Sequence, residues 1–503
     1  MSRLKAGIAF VITPLVALFM IVYVELDAEN PATTYTLAIA LLMAVWWITE
    51  AIPLAVTSLL PVALFPLFGV MSGQDVAATY FNDVIFLFMG GFMVALSMQR
   101  WNLHKRIALH ILQFTGIKPA RILLGFMAAS FFLSMWISNT ATAMMMLPIA
   151  LSVISQLEQQ TPDNKRYPIA LLLGVAYGAS TGGMATLVGT PPNLSFSRIF
   201  HIYFPQAPEI SFAGWLIFAF PLALLLLIIS WIYLYLLFKP RKTGKQAQVA
   251  ADTFSKALQQ MGKSSREEKL VFVVFVLMAL LWVFRADLQF GSFVIPGWSR
   301  LFSTPTYITD GTIAMLMAVI LFLLPAPSIK GGRLLDWPTA RQLPWRILLL
   351  FGGGFALASG FNVSGLSLWF GSQLAWVADY PVLYVIMGIA FLMTFLTELT
   401  SNTATTEMIL PVLAGIAIQT EINPLLLMVP ATLSASMAFM LPVATPPNAI
   451  IFGSSRISIS TMARTGLVLN LIGVLLISLL MYYWGAIAFD INFNEFPEWA
   501  LHR

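Results

Sequence analysis

The sequence lacks the residues from which most soluble active sites are built. None of its 503 residues is cysteine, which excludes disulfide bonds and thiolate metal sites. Only 10% of the residues are charged, compared with about 25% in an average soluble domain, whereas 59% are hydrophobic. The four histidines (His104, His110, His201 and His502) fall in predicted loops, and no nucleophile–base pair is apparent. We therefore expect a polytopic membrane protein with no catalytic residues, no organic cofactor and no nucleic-acid partner.

The hydrophobic residues form runs that are long enough to cross a bilayer, for which a helix needs about 20 residues. Charged or Pro/Gly-containing breaks separate eleven such runs, so the lipid bilayer is an expected partner. The candidate spans are 6–24, 33–49, 51–70, 83–99, 168–188, 211–238, 269–285, 306–324, 346–360, 424–443 and 466–489.

Two further apolar runs, 122–157 and 381–420, carry a polar Ser-Asn-Thr triplet in the middle. Each run is compatible with two full spans or with one re-entrant helical hairpin, and spacing alone does not separate these alternatives. Both add an even number of crossings, so the topology is the same. The predicted fold is therefore all-α, with about 11 transmembrane helices plus two hairpins.

Lysine and arginine are unevenly divided between the two sides of the predicted spans. With the N-terminus inside, 23 of the 27 lie in cytoplasmic segments, as the positive-inside rule requires. We expect a multi-pass protein of the cell (inner) membrane with a cytoplasmic N-terminus and an external C-terminus. The segment 239–269 is predicted to be a cytoplasmic linker, with an interfacial helix around Phe254–Met261.

The second half of the chain repeats motifs of the first half. SNTATAMMMLP at 138–148 returns as SNTATTEMILP at 401–411, and GTPPN at 189–193 returns as ATPPN at 444–448. FMGGF at 88–92 is likewise echoed by FGGGF at 351–355. Five predicted crossings separate the start of span 83–99 from the start of span 346–360. This odd number predicts inverted repeats, an arrangement typical of secondary transporters.

A chain that turns at Ser-Asn-Thr ends one helix with unpaired carbonyls and begins the next with unpaired amides. The carbonyls and the Ser or Asn oxygens suit a hard cation such as Na⁺. The amides, at the positive end of a helix dipole, suit an anion. The alternative is a pair of polar caps or interhelical hydrogen bonds, which are common in membrane helices. Two copies in inverted halves favour a binding site.

The Thr-Pro-Pro-Asn motifs predict two further helix starts, because proline is favoured in the first turn after a Thr cap. We expect Gly189 and Ala444 to end the preceding half-helices; a simple proline kink is the alternative. Together, the four half-helix N-termini suit a small di- or tri-anion. No Lys, Arg or His lies at these breaks, so co-bound cations would have to neutralise the anion.

Two acidic residues, Glu398 and Glu407, flank the second triplet. An intramembrane carboxylate is a functional candidate by default. We favour a structural partner for backbone or hydroxyl groups at both positions, with a proton or cation site as the alternative.

At these motifs the chain resembles the divalent anion/sodium symporter family, whose members include sodium-coupled dicarboxylate and citrate transporters. The resemblance covers nearly the whole chain. It implies a homodimer in which each protomer has a scaffold and a transport domain that moves as an elevator. Residues 1–82 and 211–345 would be mainly scaffold, and 466–503 the last span and external C-terminus. Residues 83–210 and 346–465 would form the two transport-domain halves, each with one hairpin.

The family pattern also implies the site residues, with Na⁺ as the coupling ion. One sodium site would be formed by Ser134, Ser138, Asn139 and Gly189, and the second by Thr397, Ser401, Asn402 and Ala444. Substrate carboxylates would lie against Asn139, Thr140, Asn402 and Thr403, and the pocket would be closed by Thr190, Pro191, Thr445 and Pro446.

These observations lead to one preferred function and two alternatives. We expect a secondary active transporter that carries C4-dicarboxylates (succinate, malate or fumarate) into the cell by symport with sodium. A sodium-independent dicarboxylate or citrate exchanger is the first alternative. An anion channel, which also contains interrupted helices, is the alternative from another functional class.

Overall fold

The protein is built almost entirely of helices that pack around one large apolar core. The computed structural model describes residues 3–116, 118–160, 166–240, 246–290, 293–493 and 495–501. Residues 241–245 of the predicted linker and His502 lie outside the described residues.

The helices of the N-terminal half include the first repeat. They are α1 Arg3–Tyr23, α2 Pro31–Thr49, α3 Leu54–Thr57, α4 Leu60–Leu67, α5 Gly73–Thr79, α6 Asp83–Arg100, α7 Leu103–Thr115, α8 Pro119–Ser134, α9 Asn139–Gln160, α10 Tyr167–Met184, α11 Pro191–Tyr203, α12 Phe212–Phe238 and α13 Gln246–Met261.

The helices of the C-terminal half include the second repeat. They are α14 Arg266–Val283, α15 Asp310–Leu323, α16 Trp337–Ala340, α17 Trp345–Val363, α18 Leu366–Gln373, α19 Val382–Thr397, α20 Asn402–Thr420, α21 Pro424–Ser434, α22 Pro446–Phe452, α23 Ile459–Leu480, α24 Ala486–Ala488 and α25 Glu498–Leu501.

The remaining regular elements are short. Two three-residue strands, β1 Leu288–Phe290 and β2 Phe293–Ile295, pair antiparallel, with Leu288 opposite Ile295. Three 3-10 helices and one π-helix complete the described structure: Trp298–Leu301, Pro305–Tyr307, Ala375–Asp379 and, for the π-helix, Met481–Gly485.

A helix lies in each of the eleven predicted spans. Six helical segments of the described chain are long and apolar enough to cross a membrane, and further apolar helices of 10–17 residues accompany them. The predicted span 51–70 is wrong as a single helix, because α3 and α4 are separated at Ser58–Leu59. Pro61 in the first turn of α4 has no amide hydrogen with which to continue the helix from α3.

The structure repeats the order of elements that the sequence motifs predicted. The helices α6 to α11 correspond in order to α17 to α22: a long helix, a shorter helix, a helix–turn–helix and a broken helix. The first arms of the two hairpins, α8 and α19, have 16 residues each. At 1.5 Å per residue they reach about 24 Å, which is less than the hydrocarbon thickness of about 30 Å. This length favours the re-entrant alternative for both hairpins.

The helix α10 is buried along almost its whole length and packs closely on α8. Its glycines at 174, 178 and 182 recur every four residues and face α8. A methyl group at Gly178 would lie 2.6 Å from the carbonyl oxygen of Met127, so only glycine permits this backbone approach. The close packing holds the end of α10 beside the turn after α8.

A helix is present where the interfacial helix was predicted, and it is longer than expected. It is α13, which begins at Gln246, and its Phe254 is buried against Phe126 of α8 with ring centroids 6.0 Å apart. The helix packs on α7 and α9 and thereby covers one side of the first hairpin.

Candidate functional site

The first Ser-Asn-Thr triplet forms the turn between α8 and α9. Ser138 is the N-cap of α9, because its Oγ accepts a hydrogen bond of 3.2 Å from the amide of Ala141. Asn139 is the first residue of the helix, and its Oδ1 is buried without a hydrogen-bond partner among the described residues. The Oγ of Ser134, at the end of α8, is also buried without a partner. This turn therefore holds oxygen atoms with free lone pairs.

Two glycines bring further oxygens to this turn. A methyl group at Gly183 would lie 2.7 Å from Asn139 Oδ1 and 3.1 Å from the carbonyl oxygen of Gly189. A methyl group at Gly189 would lie 2.5 Å from the carbonyl oxygen of Gly183 and 3.0 Å from that of Ser134. Three of the predicted sodium ligands, Ser134, Asn139 and Gly189, are thus brought together, and Ser138 caps the adjoining helix. Convergent oxygens at a broken helix are the environment that sodium takes in transporters.

The chain between α10 and α11 is unwound earlier than the motif predicted. We expected Gly189 to end the half-helix, but α10 ends at Met184 and residues 185–190 are not α-helical. The side-chain amide of Asn193 compensates for the lost helical hydrogen bonds. Its Nδ2 donates to the carbonyl oxygens of Gly183 (3.2 Å), Met184 (3.4 Å) and Thr186 (2.7 Å).

The second Ser-Asn-Thr triplet forms the equivalent turn between α19 and α20, but its Asn402 Oδ1 already accepts a hydrogen bond. Thr397 Oγ1 donates to Asn402 Oδ1 at 2.7 Å and is also 2.9 Å from the carbonyl oxygen of Ala435. Ser401 is the N-cap of α20 by position, yet its side chain makes no capping hydrogen bond. Of the predicted second set of sodium ligands, the structure thus joins Thr397 directly to Asn402.

The second broken helix is unwound over a longer stretch. The helix α21 ends at Ser434, ten residues before Ala444, so the predicted helix end at Ala444 is also wrong. Asn448 supports this stretch as Asn193 does in the first half. Its Nδ2 donates to the carbonyl oxygens of Ala438 (2.9 Å) and Leu441 (3.1 Å), and the amide of Ala444 donates to the same Leu441 carbonyl (3.2 Å).

Glu398 also pairs with the same unwound stretch. Its two carboxylate oxygens accept hydrogen bonds from the amides of Met440 (2.8 Å) and Leu441 (3.0 Å). Asn470 Nδ2 donates a third, at 2.7 Å. The favoured interpretation of Glu398 as a structural partner for backbone groups agrees with these contacts.

The predicted substrate residues lie at the beginnings of four helices. Thr140 and Thr403 are in the first turns of α9 and α20, and Pro191 and Pro446 begin α11 and α22. Thr445 caps α22 by accepting from the Asn448 amide at 3.4 Å, whereas Thr190 makes no side-chain cap of α11. Among the described residues no side-chain hydrogen bond joins Thr140, Thr190, Thr403 and Thr445 to one another.

The two halves are interlocked at these helices. The helix α9 of the first hairpin packs against α22 of the second half, and α20 of the second hairpin packs against α11 of the first half. A hydrogen bond of 2.9 Å from Tyr177 Oη to the carbonyl oxygen of Phe439 joins α10 to the unwound stretch of the second half. Each Ser-Asn-Thr turn therefore belongs to a structure that both halves build. Amides at four interlocked helix starts can bind an anion, and the turn oxygens can bind cations.

Sequence reasoning missed the role of Asn193 and Asn448, which pair with the unwound backbone. Their position at the end of the repeated Pro-Pro-Asn sequence was the signal that could have indicated it. Gly183 carried no signal of this kind, because its contact with Asn139 joins residues that are distant in the chain.

The comparisons with known sequences all identify sodium-coupled transporters. The family model described as the sodium:sulfate symporter transmembrane region matches residues 5–490. The sodium-dependent dicarboxylate transporter SdcS of Staphylococcus saprophyticus is 44% identical over 485 residues, which cover 95% of this chain and 91% of that protein. The protein of the same name from Staphylococcus aureus is 42% identical over 496 residues, with 97% and 93% covered.

Solved structures resemble the fold at much lower identity. The YdaH transporter of Alcanivorax borkumensis matches with a TM-score of 0.55 at 15% identity, covering 84% of this chain and 89% of that one. MtrF of Neisseria gonorrhoeae matches with a TM-score of 0.56 at 12% identity, covering 93% and 97%. At such identity these two likenesses concern the fold alone.

Proposed function

Since the chain belongs to the family of the sodium:sulfate symporter transmembrane region, we propose that it is a secondary active transporter that imports C4-dicarboxylates with sodium. The observation that carries this proposal is the similarity, along almost the whole chain, to proteins named sodium-dependent dicarboxylate transporters. The protein is a multi-pass membrane protein, and Na⁺ is its coupling ion. The proposed substrates are succinate, malate and fumarate, and the proposed role is transport without a catalytic reaction.

The geometry of the two turns supports the coupling of sodium to an anion. A dianion held only by amides and hydroxyls would be poorly neutralised inside the membrane. Sodium at the turn oxygens would supply the missing positive charge and fix the turns from which the amides point. In this scheme sodium binds first and the dicarboxylate binds second. The transport domain then carries both across the membrane.

We assign the ligands as the family pattern suggests. The proposed sodium ligands are Ser134, Ser138, Asn139 and Gly189 at the first turn, and Thr397, Ser401, Asn402 and Ala444 at the second. The proposed substrate residues are Asn139, Thr140, Thr190, Pro191, Asn402, Thr403, Thr445 and Pro446. The convergence of Ser134, Asn139 and Gly189, and the contact of Thr397 with Asn402, support the assignment.

Elevator movement and a homodimer complete the proposal. Residues 83–210 and 346–465 are the proposed transport domain, and 1–82 and 211–345 the scaffold. The interlocked packing of α9 with α22 and of α20 with α11 supports movement of the two repeat halves as one body. The N-terminus is assigned to the cytoplasm and the C-terminus to the outside by the distribution of Lys and Arg.

Uptake of radiolabelled succinate into proteoliposomes tests the function. We expect accumulation when sodium is inward-directed and none when it is replaced by potassium. Unlabelled malate and fumarate should compete, and sulfate should compete weakly. Uptake that ignores sodium but requires internal dicarboxylate would instead identify an exchanger, and conductance far above carrier turnover would identify a channel.

The absence of cysteine allows a clean test of topology. Single cysteines at the exposed positions Lys263 and Ser303 should react with a membrane-impermeant maleimide from opposite sides of the membrane. Lys263→Cys should be labelled only from the cytoplasmic side and Ser303→Cys only from outside. Labelling of both from one side would contradict the assigned topology.

A further inference from the structure

Glu407 is a fully buried carboxyl group in the second repeat that the transport scheme does not use. It lies on α20, five residues after Asn402, and none of its surface is exposed. Ser195 Oγ donates a hydrogen bond of 3.1 Å to its Oε1. Its other oxygen, Oε2, is buried and has no hydrogen-bond partner among the described residues.

Three helices meet at this carboxyl. Ser195 is on α11, the Pro-Pro-Asn helix of the first half, and Glu407 is on α20 of the second half. The third contact is Gly354 of α17, the last glycine of the repeated FGGGF motif, where a methyl group would overlap the Glu407 Cδ and Oε2 atoms. Glycine at this position therefore leaves space for the carboxyl and for little else.

Within the part of the chain that the structure describes, no cation is paired with this carboxyl. None of the ion pairs formed by the described residues involves Glu407. The Tyr80 phenol donates its hydrogen to the Ser58 carbonyl and not to this carboxyl. The ionisable residues on the elements packed against α20 are Arg198, His201 and Tyr203 on α11, Arg346 on α17, Tyr35 on α2, Tyr384 on α19 and Asp379 on the 3-10 helix Ala375–Asp379, with none on α18 or α21.

Two of these neighbours have other partners. Arg198 lies 3.7 Å from Asp83, and Tyr203 Oη donates to the carbonyl oxygen of Ala358. An ionised carboxylate that is buried without a cation and with one unpaired oxygen is strongly unfavourable. Glu398 in the same repeat shows the contrasting case, because three donors satisfy its two oxygens.

We propose that Glu407 is a proton-binding site, and that the protein operates with this residue as a neutral carboxylic acid at the junction of α11, α17 and α20. The ligand is a proton rather than a metal ion, because the close approach of Gly354 to Oε2 restricts the space that an ion and its ligands would need there. The junction then carries no charge while sodium and the dianion balance each other at the two turns.

Infrared spectroscopy of the purified protein at neutral pH tests the proton directly. The wild-type spectrum should contain the carbonyl band of a protonated carboxylic acid, and Glu407→Gln should remove it. The matched control Glu398→Gln should leave the band in place. A wild-type spectrum without the band, or a band that survives Glu407→Gln, would overturn the proposal.

A second variant keeps the test valid if Glu407→Gln does not fold. Ser195→Ala retains the carboxyl but removes its hydrogen-bond donor, so the band should persist with a shifted frequency. A band whose frequency is unchanged by Ser195→Ala would place the protonated carboxyl elsewhere and would contradict the proposal.

Transport provides an independent readout, which rests on the proposed function whereas the infrared result does not. Glu407→Gln mimics the protonated acid, so sodium-driven succinate uptake should remain at about half of wild type or more. Its sodium dependence should be unchanged. A correctly folded Glu407→Gln protein with less uptake than this would show that a negative charge is required and would overturn the proposal.

Discussion

The two Ser-Asn-Thr turns have the same sequence but differ in what their asparagine oxygens contact. Asn139 Oδ1 is buried, has no hydrogen-bond partner among the described residues and faces Gly183. Asn402 Oδ1 accepts a hydrogen bond of 2.7 Å from Thr397. The first turn is therefore open to a cation, and the second is closed by a hydrogen bond of its own.

The difference follows from residues at equivalent positions of the repeat. Ser134 ends α8 and leaves its hydroxyl unpaired, whereas Thr397 ends α19 and bonds to Asn402. Since an intramolecular hydrogen bond contributes roughly 1 kcal/mol net, its loss would weaken sodium binding at the second turn about fivefold. We infer that sodium binds first at the first turn and second at the Asn402 turn.

Removing either asparagine side chain should have the largest effect. Asn139→Ala and Asn402→Ala remove a proposed ligand of both sodium and substrate, so each should reduce succinate uptake more than about 100-fold. Uptake into proteoliposomes measures this effect, with size-exclusion profiles to show that fold and assembly are intact. The matched control is Asn362→Ala, at an exposed asparagine away from the turns, which should transport normally. Near-normal uptake by either turn variant would mean that the triplets serve only as helix caps.

The next-largest effect distinguishes sodium binding at the first turn from sodium binding at the second. Gly189→Ala would place a methyl group 2.5 Å from the Gly183 carbonyl oxygen and 3.0 Å from that of Ser134, at the centre of the first turn. It should raise the sodium concentration for half-maximal uptake at least about tenfold. The reciprocal variant, Ala444→Gly, removes a methyl group that the second half already accommodates and should change this concentration less than about twofold. Equal effects of both variants on sodium dependence would show that the two turns do not differ in how they bind sodium.

A smaller effect is expected at the closed turn. Thr397→Val keeps the shape of the side chain but removes the hydroxyl that is a proposed ligand and the partner of Asn402. The half-maximal sodium concentration should rise by less than about fivefold, because the loss of a ligand worth roughly 1 kcal/mol is partly offset by the removal of the hydrogen bond that closes the turn. Thr397→Ser, which retains the hydroxyl, is the control and should behave as wild type. A Thr397→Val protein with unchanged sodium dependence would exclude Thr397 as a ligand.

The smallest effect concerns the caps of the Pro-Pro-Asn helices. Thr445 caps α22 through the amide of Asn448, whereas Thr190 makes no side-chain cap of α11. Without sodium and substrate, Thr445→Ala should lower the free energy of unfolding by about 0.5–1 kcal/mol more than Thr190→Ala does, because both threonines are buried but only Thr445 caps its helix. Thermal unfolding followed by tryptophan fluorescence gives the comparison. A larger loss for Thr190→Ala would contradict the cap assignment.

The sequence was sufficient to predict the repeat, the two turns and the four helix starts. Polar triplets inside apolar runs, and prolines after threonine, are local signals that mark helix ends wherever they occur. The ends of α10 and α21 were not predictable in this way. Residues 435–444 read as an apolar helix, and they unwind because Asn448 and Glu398 pair with their backbone groups. Those contacts depend on the tertiary structure, so the local sequence of this stretch does not indicate them.

The site ligands were assigned in advance through the family pattern, and the contacts of Gly183 and Glu407 were not. Gly183 faces Asn139 across 44 positions of the chain, and Glu407 meets Ser195 across 212. Only the packing of distant helices creates these contacts, so no local spacing could indicate them. The contrast between Asn139 and Asn402 was hidden for the same reason, since both lie in identical triplets.

The sodium dependence of the initial rate of succinate uptake, at saturating succinate, tests the central claim that both turns hold sodium. Two coupled sites predict a sigmoidal curve with a Hill coefficient above 1 and approaching about 2, because the coefficient is limited by the number of sites. A hyperbolic curve with a Hill coefficient of about 1 would contradict the account, since it would mean that only one of the two turns binds the coupling ion.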